Sequence, residues 1–141
     1  MKTSILCALF AAFLLSACVS SKPGMSLSEV KTRKTYNMDK QQLMELMKIY
    51  AKKKDFSVTR WEVESSRVMG YKNMQMLSEI NVRRILMYIE ILKVAEKKSE
   101  VVARFSYQSS DSNLTKEEEV ILVELYIALF EFLDEEAKSV Q

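Results

Sequence analysis

The sequence has 141 residues and a nearly balanced charge, with 21 lysines and arginines against 19 acidic residues and a formal net charge of +2. That balance disfavours a nucleic-acid-binding protein, which is expected to carry a marked positive excess or a basic stripe. The sequence contains no histidine, so it lacks the commonest general base and the commonest zinc ligand. Catalysis would need paired carboxylates or a serine-lysine dyad, and neither occurs in a recognisable arrangement. We therefore expect a protein that is not an enzyme and holds no metal or cofactor.

The chain begins with a short basic start followed by an apolar run from Ile5 to Leu15. A membrane-spanning helix needs about 20 apolar residues, whereas the apolar part of an export signal needs only about 7 to 15. The run is too short to span a membrane. We predict that residues 1–17 are a signal peptide.

The leader ends in Leu15, Ser16 and Ala17, followed by Cys18. This motif resembles the lipobox of bacterial lipoproteins, which signal peptidase II cleaves. The resemblance implies cleavage before Cys18, a diacylglyceryl group on its sulfur and an acyl chain on its new amine, a combination that anchors a protein stably. Val19 follows, where an aspartate would commonly signal retention in the inner membrane. The resemblance therefore implies an outer-membrane location facing the periplasm, with the membrane itself as one partner.

The mature chain is predicted to be one domain on a tether. Cys7 leaves with the leader and Cys18 is lipidated, so no thiol remains for a disulfide. Residues 18–31 are rich in serine, include proline and glycine, and predict a flexible tether. Residues 32–141 form the single domain, and its first five residues predict a short edge strand.

The first helix is predicted over residues 39–54. Asp39 and Gln42 form a capping box, and Met38 is placed to contact Leu43 across the helix start. Lys52-Lys53-Lys54 closes the helix. The triplet has two interpretations: a patch for anionic lipid or an acidic partner, or cations that complement the negative end of the helix dipole.

Strands are predicted after this helix. Period-two patterns at 56–58 and 61–63 differ in phase, which predicts a bulge near Thr59 and Arg60. A turn at 64–66 and a strand at 67–72 complete a hairpin, and 73–81 is predicted to be a loop. Trp61 is interpreted as a core residue or a surface aromatic. Three methionines are interpreted as apolar filler or, alternatively, as soft ligands for Cu(I): Met69, Met74 and Met76.

Residues 82–95 fit both a helix and a strand. We favour the strand, because 101–107 alternates clearly and needs a partner across the polar break at 96–99. A last helix is predicted from the capping box of Thr115 and Glu118 to about residue 138. Near its end, three acidic side chains are interpreted as a solvated terminus or as a surface that faces a partner: Asp134, Glu135 and Glu136.

Together these elements predict an α+β fold in which an antiparallel sheet of four or five strands packs against two helices, in the order β-α-β-β-β-β-α. The pattern is similar to small bacterial envelope lipoproteins and to the helix-grip domains of the outer-membrane assembly lipoprotein BamC. The residues that carry this resemblance are 32–36, Asp39, 55–58 and 126–130, with Asp55 where those domains often have glycine.

The function predicted from the sequence is that of a lipid-anchored envelope protein that binds another envelope protein or supports an assembly. Two alternatives remain open at this point. One is an inhibitor or immunity-type protein that acts on a periplasmic enzyme, and the other is a carrier that holds an apolar ligand between the sheet and the apolar last helix.

Overall fold

The computed structural model of the chain describes residues 24–75, 82–108 and 113–140. They form a five-stranded antiparallel sheet with strand order β1-β5-β4-β3-β2 and two helices. The predicted α+β class and element order are confirmed, and β1 lies at an edge as expected. The elements are β1 Arg33–Tyr36, α1 Lys40–Lys53, β2 Ser57–Glu62, β3 Arg67–Gln75, β4 Val82–Ala95, β5 Lys98–Tyr107 and α2 Lys116–Ser139.

Both helices begin at the predicted capping boxes. The Asp39 carboxylate accepts a 2.8 Å hydrogen bond from the Gln42 amide, and the Gln42 side chain accepts one of 3.2 Å from the Asp39 amide. Thr115 and Glu118 repeat the arrangement at α2, with distances of 3.2 and 2.9 Å. These bonds satisfy amides that a helix start leaves without a partner. No helix in the described ranges is long and apolar enough to cross a membrane.

The end of α1 has a conformation that explains Asp55. The Phe56 amide donates to the Ala51 carbonyl at 2.9 Å and the Asp55 amide donates to that of Lys52 at 3.3 Å. This is the Schellman arrangement, which places the residue after the cap in the left-handed region. Asp55 has φ 57°, and aspartate is one of the few residues other than glycine that adopt this conformation readily.

Residues 82–95 form a strand, as predicted. β4 is paired on both sides, with β3 and β5. Its buried residues alternate along the strand: Ile85, Met87, Ile89 and Ile91. Two predicted boundaries are wrong, because main-chain pairing extends the strands. Asn73 to Gln75 belong to β3 and pair with β4, and the polar break at 96–99 is reduced to Glu96 and Lys97. Residues 76–81 of the predicted loop lie outside the described residues.

The bulge in β2 is confirmed, since the register shifts between Val58 and Arg60. Gly70, in the neighbouring strand β3, makes room for the bulge. A β-carbon at Gly70 would lie 2.9 Å from the carbonyl oxygen of Ser57 and 3.3 Å from the methyl group of Met87. The glycine therefore permits the close approach of β2 to β3 beside the bulge.

Both helices pack on one face of the sheet, and the core lies between them. The strand β1 is too short to pair with the Phe105 amide of β5. The Tyr126 hydroxyl of α2 accepts a 2.9 Å hydrogen bond from this amide instead.

The segment before β1 also contacts the core. Leu27 and Val30 pack against it, and the Leu27 amide donates to Glu119 at 2.9 Å. Packing contacts thus begin before residue 32.

Candidate functional site

The second face of the sheet is covered by neither helix. Side chains alternate between the two faces of a strand, and the buried positions of β4 and β5 all point to the helices. The opposite positions form a broad, solvent-facing surface. We call it the arginine face after five of its members: Arg33, Arg60, Arg67, Arg84 and Arg104.

The arginine face collects five of the six arginines of the chain. They come from all five strands, and the register brings them into rows across the sheet. One row runs from Arg104 through Tyr88 and Met69 to Arg60. Among the lysines of the described strands, only Lys98 occupies a position on this face, next to the turn between β4 and β5.

Glutamates balance part of this charge. Arg67 contacts Glu90 at 3.2 Å, Arg60 contacts Glu62 at 3.6 Å and Arg33 contacts Glu100 at 3.9 Å. The pKa of the Arg67 guanidinium is raised, chiefly by its hydrogen bond to Glu90. Exposed pairs of this kind contribute little to stability. They partly neutralise three of the five arginines.

The other two arginines have no acidic partner within the described ranges. Arg84 lies over the ring of Tyr71, 4.4 Å from its centroid, and donates to Asn73 at 3.2 Å and to Gln108 at 3.4 Å. Arg104 makes no hydrogen bond or ion pair with the described residues. Between these two cations lie Leu86, which is 37% exposed, and the half-buried Tyr88.

This composition has features in common with protein interfaces. Tyrosine, methionine and arginine are enriched at protein interfaces, where lysine is depleted. Arginine also binds carboxylates through two parallel hydrogen bonds and stacks on aromatic rings, which lysine does not do equally well. The arginine face is therefore suited to an acidic surface of another protein.

Sequence reasoning missed this surface. Its arginines are 7 to 27 residues apart along the chain, so no basic stripe is visible. The available signal was the alternation of side chains along each strand, because each arginine occupies a position that points away from the core. Reading it required the register of all five strands, which the sequence does not supply.

The acidic residues predicted at the end of α2 have different surroundings. Lys34 donates to both oxygens of Asp134, at 2.6 and 2.7 Å, and the Tyr36 hydroxyl donates at 3.0 Å. Burial, reinforced by Asp134, raises the pKa of Tyr36. Asp134 thus fastens α2 to β1, whereas Glu135 is exposed and Glu136 half-buried. Their role as a partner surface stays a prediction.

The remaining predicted site residues lie outside the described residues: Leu15, Ser16, Ala17 and Cys18. Lipidation at Cys18 therefore stays a prediction. Among the described residues, no cluster of acidic side chains, histidine or cysteine is arranged to hold a metal ion.

Five surface grooves of the described part have volumes of about 320 to 420 Å³; four border a helix and one lies at the turn between β2 and β3. The space between the sheet and α2 is filled by side chains that are almost fully buried, such as Leu129 and Leu133. A carrier of apolar ligands needs an enclosed apolar cavity, and the grooves found here do not provide one.

No protein-family model matches the chain, and no curated protein matches it either. Among solved structures, the chain is similar to a DUF4468 family protein from Bacteroides ovatus. The two share 11% sequence identity over 77% of this chain and 90% of that chain, with a TM-score of 0.37. A likeness this distant carries no information about activity.

Proposed function

We propose that this protein is a lipid-anchored, non-enzymatic component of the bacterial cell envelope that binds an acidic surface of another envelope protein through its arginine face. The observation that carries the proposal is the collection of five of the six arginines, with Tyr71 and Tyr88, on the uncovered face of the sheet. Folding does not require this composition on a solvated face, and arginine together with tyrosine suits the recognition of carboxylates.

The support for the anchor is the sequence Leu15-Ser16-Ala17-Cys18. Cells grown with radiolabelled palmitate should label the protein, and Cys18→Ser should abolish the label and leave the precursor uncut. Fractionation of the labelled protein then tests the outer-membrane location that Val19 predicts. A Cys18→Ser protein that still takes up palmitate would refute the anchor without touching the arginine face.

The binding surface is tested by site-specific photocrosslinking in intact cells. A photoreactive residue at Tyr88 should give a discrete protein adduct, while the same residue at the exposed Glu124 of α2 should not. Reversing the two unpaired charges, with Arg84→Glu and Arg104→Glu, should remove the adduct. Mass spectrometry of the adduct should identify a protein whose crosslinked segment is acidic.

Two results would overturn this assignment. An adduct that forms equally from Glu124, or that survives both charge reversals, would exclude the arginine face as the contact. An adduct that disappears on nuclease treatment would replace the protein partner by nucleic acid. The inhibitor alternative has less support, because Asp134 of the acidic cluster that favoured it is bound internally to Lys34 and Tyr36.

A further inference from the structure

A second surface lies at the other side of the sheet, where α1 passes beside the edge strand β2. A groove of about 350 Å³ separates them. Its lining is mainly apolar, with two lysines at the rim: Lys48, Ala51, Lys52, Phe56, Val58 and Trp61. This surface is distinct from the arginine face and does not depend on the lipid anchor.

The bulge in β2 creates the floor of this groove. In a regular strand, Val58 and Trp61 are three residues apart and would point to opposite faces. Here Val58 is opposite Gly70 and Trp61 is opposite Val68, and both of those positions face the helices. The extra residue at Thr59 therefore brings Val58 and Trp61 to the same side. Bulges often serve to redirect a side chain beside a functional site.

These two side chains face the helix layer without being covered by it. Val58 is 41% exposed and Trp61 is half-buried, although the corresponding positions on the next strand are fully buried. The Lys48 ammonium lies 4.5 Å from the centre of the Trp61 ring. The groove is thus an apolar strip next to an open strand edge, and its rim is cationic.

An open strand edge offers unpaired backbone amides and carbonyls to another extended chain. Among the described residues, no strand pairs with the outer side of β2. A chain added there would point every second side chain into the groove, which is the usual mode of recognition by strand addition. Apolar side chains fit the strip over Val58 and Trp61. Carboxylates fit the rim, where Lys52 makes no ion pair with the described residues and Lys48 is shared with Glu45 at 2.9 Å.

A second copy of this chain is a poorer occupant. Two copies paired through β2 would be related by a two-fold axis, so each surface would meet itself. The lysine rim of one copy would then lie against the lysine rim of the other. Like charges at an interface oppose association, so the charge of the rim favours a different, acidic chain.

We propose that the groove between α1 and β2 binds an extended segment of a partner protein as an added strand, in which the side chains that face the groove include both apolar residues and carboxylates. A segment that matches the six residues of β2 is about 20 Å long at the usual rise per residue.

Trp61 reports on this site directly, because it is the only tryptophan in the sequence. The probe is an eight-residue peptide, Val-Thr-Glu-Thr-Val-Thr-Glu-Thr, which presents valine and glutamate on the same side of a strand; it is titrated into the purified full-length protein in mild detergent. The same peptide with lysine in place of glutamate controls for partition into the detergent. The acidic peptide should shift Trp61 emission to shorter wavelength with a saturable dependence on concentration, and the basic peptide should not.

Charge variants test the rim. Lys48→Glu with Lys52→Glu should weaken binding of the acidic peptide at least tenfold. The matched control is Lys97→Glu with Lys116→Glu, two exposed lysines that do not line the groove, which should leave the dissociation constant within twofold. Equal binding by both double variants would overturn the proposal.

Strand addition has its own signature. Only alternate amides of an added strand face β2, so methylation of one set of peptide amides should abolish binding and methylation of the other set should not. Peptides that bind equally in both methylated forms would exclude an added strand.

Two other results would assign the groove to a different occupant. A shift in Trp61 emission that appears when the protein is concentrated without peptide would assign the edge to a second copy. A shift with anionic lipid vesicles but not with the acidic peptide would assign the groove to the membrane.

Discussion

The two faces of the sheet differ in what their residues are required to do. The helix-covered face carries branched and aromatic side chains that are nearly all buried, whereas the arginine face carries cations, tyrosines and polar side chains in the same strands. Burial of apolar area supplies most of the favourable free energy of folding. Substitutions on the covered face should therefore change stability, and substitutions on the arginine face should change binding. Five predictions, which begin with the largest expected effect on stability and end with the smallest, test this contrast.

Leu129→Asp should unfold the domain. Leu129 is fully buried in α2, and the aspartate would place an unpaired charge in the core, at a cost of at least about 4 kcal/mol. Circular dichroism during thermal unfolding measures the loss. The control is Glu131→Gln, an exposed change on the same helix, which should stay within about 0.5 kcal/mol. A normal melting curve for Leu129→Asp would contradict the described core.

Gly70→Val should lower the free energy of unfolding by about 1 to 3 kcal/mol, the usual range for overpacking. The new side chain would meet the Ser57 carbonyl and Met87, so β2 must move away from β3. Urea unfolding gives the stability, and hydrogen exchange of the β2 amides shows whether the bulge opens. Met69→Val, at the neighbouring position on the arginine face, is the control and should cost less. Equal costs would mean that Gly70 is not a point of close approach.

Two tyrosines on the covered side should respond differently to loss of the hydroxyl. Tyr126→Phe leaves the Phe105 amide without its acceptor and should cost about 1 to 3 kcal/mol. Tyr107→Phe should leave the free energy of unfolding unchanged or raise it at neutral pH, since the buried Tyr107 hydroxyl has no hydrogen-bond partner among the described residues and an unsatisfied buried group is unfavourable. Urea unfolding of the two variants at pH 7 makes the comparison, and equal losses would contradict it.

Tyr107 also distinguishes the variant from the wild-type protein at high pH. Burial raises the pKa of Tyr107 to about 12 from its ordinary value of 10.0, with further contributions from Glu118 and Glu117. A raised pKa gives a stability contribution that is complete below pH 10 and is lost as the pH rises toward 12. Tyr107→Phe should therefore lose less stability than the wild-type protein between pH 9 and 11. An identical pH dependence of the two proteins would show that Tyr107 does not titrate in this way.

Arg104→Ala should have the smallest effect on stability, within about 0.5 kcal/mol, because the side chain is exposed and unpaired among the described residues. The same variant should weaken crosslinking from Tyr88, where Glu124 serves as the control position. A large loss of stability would mean that the arginine face contributes to the free energy of folding, which would contradict the contrast between the two faces.

Much of the fold was predictable because its signals are local. Asp39 and Gln42 are three residues apart, as are Thr115 and Glu118, so each capping box is visible in the sequence. The alternation in β5 and the change of phase that marks the β2 bulge are equally short-range. The limits of β3 and of the β4–β5 turn were wrong because pairing with a distant strand, which no local pattern encodes, extends these elements.

The sequence by itself determined the elements, the α+β class and the candidate anchor at Cys18, since each depends on residues within a few positions of one another. Only the tertiary structure decided which surfaces are available for binding. It brings arginines from five strands to one uncovered face. It also joins Lys34 to Asp134 across 100 positions and sets α1 beside the edge of β2. The physical reason is that strand register and helix placement follow from the packing of the whole core, and a surface has its composition only after that packing is complete.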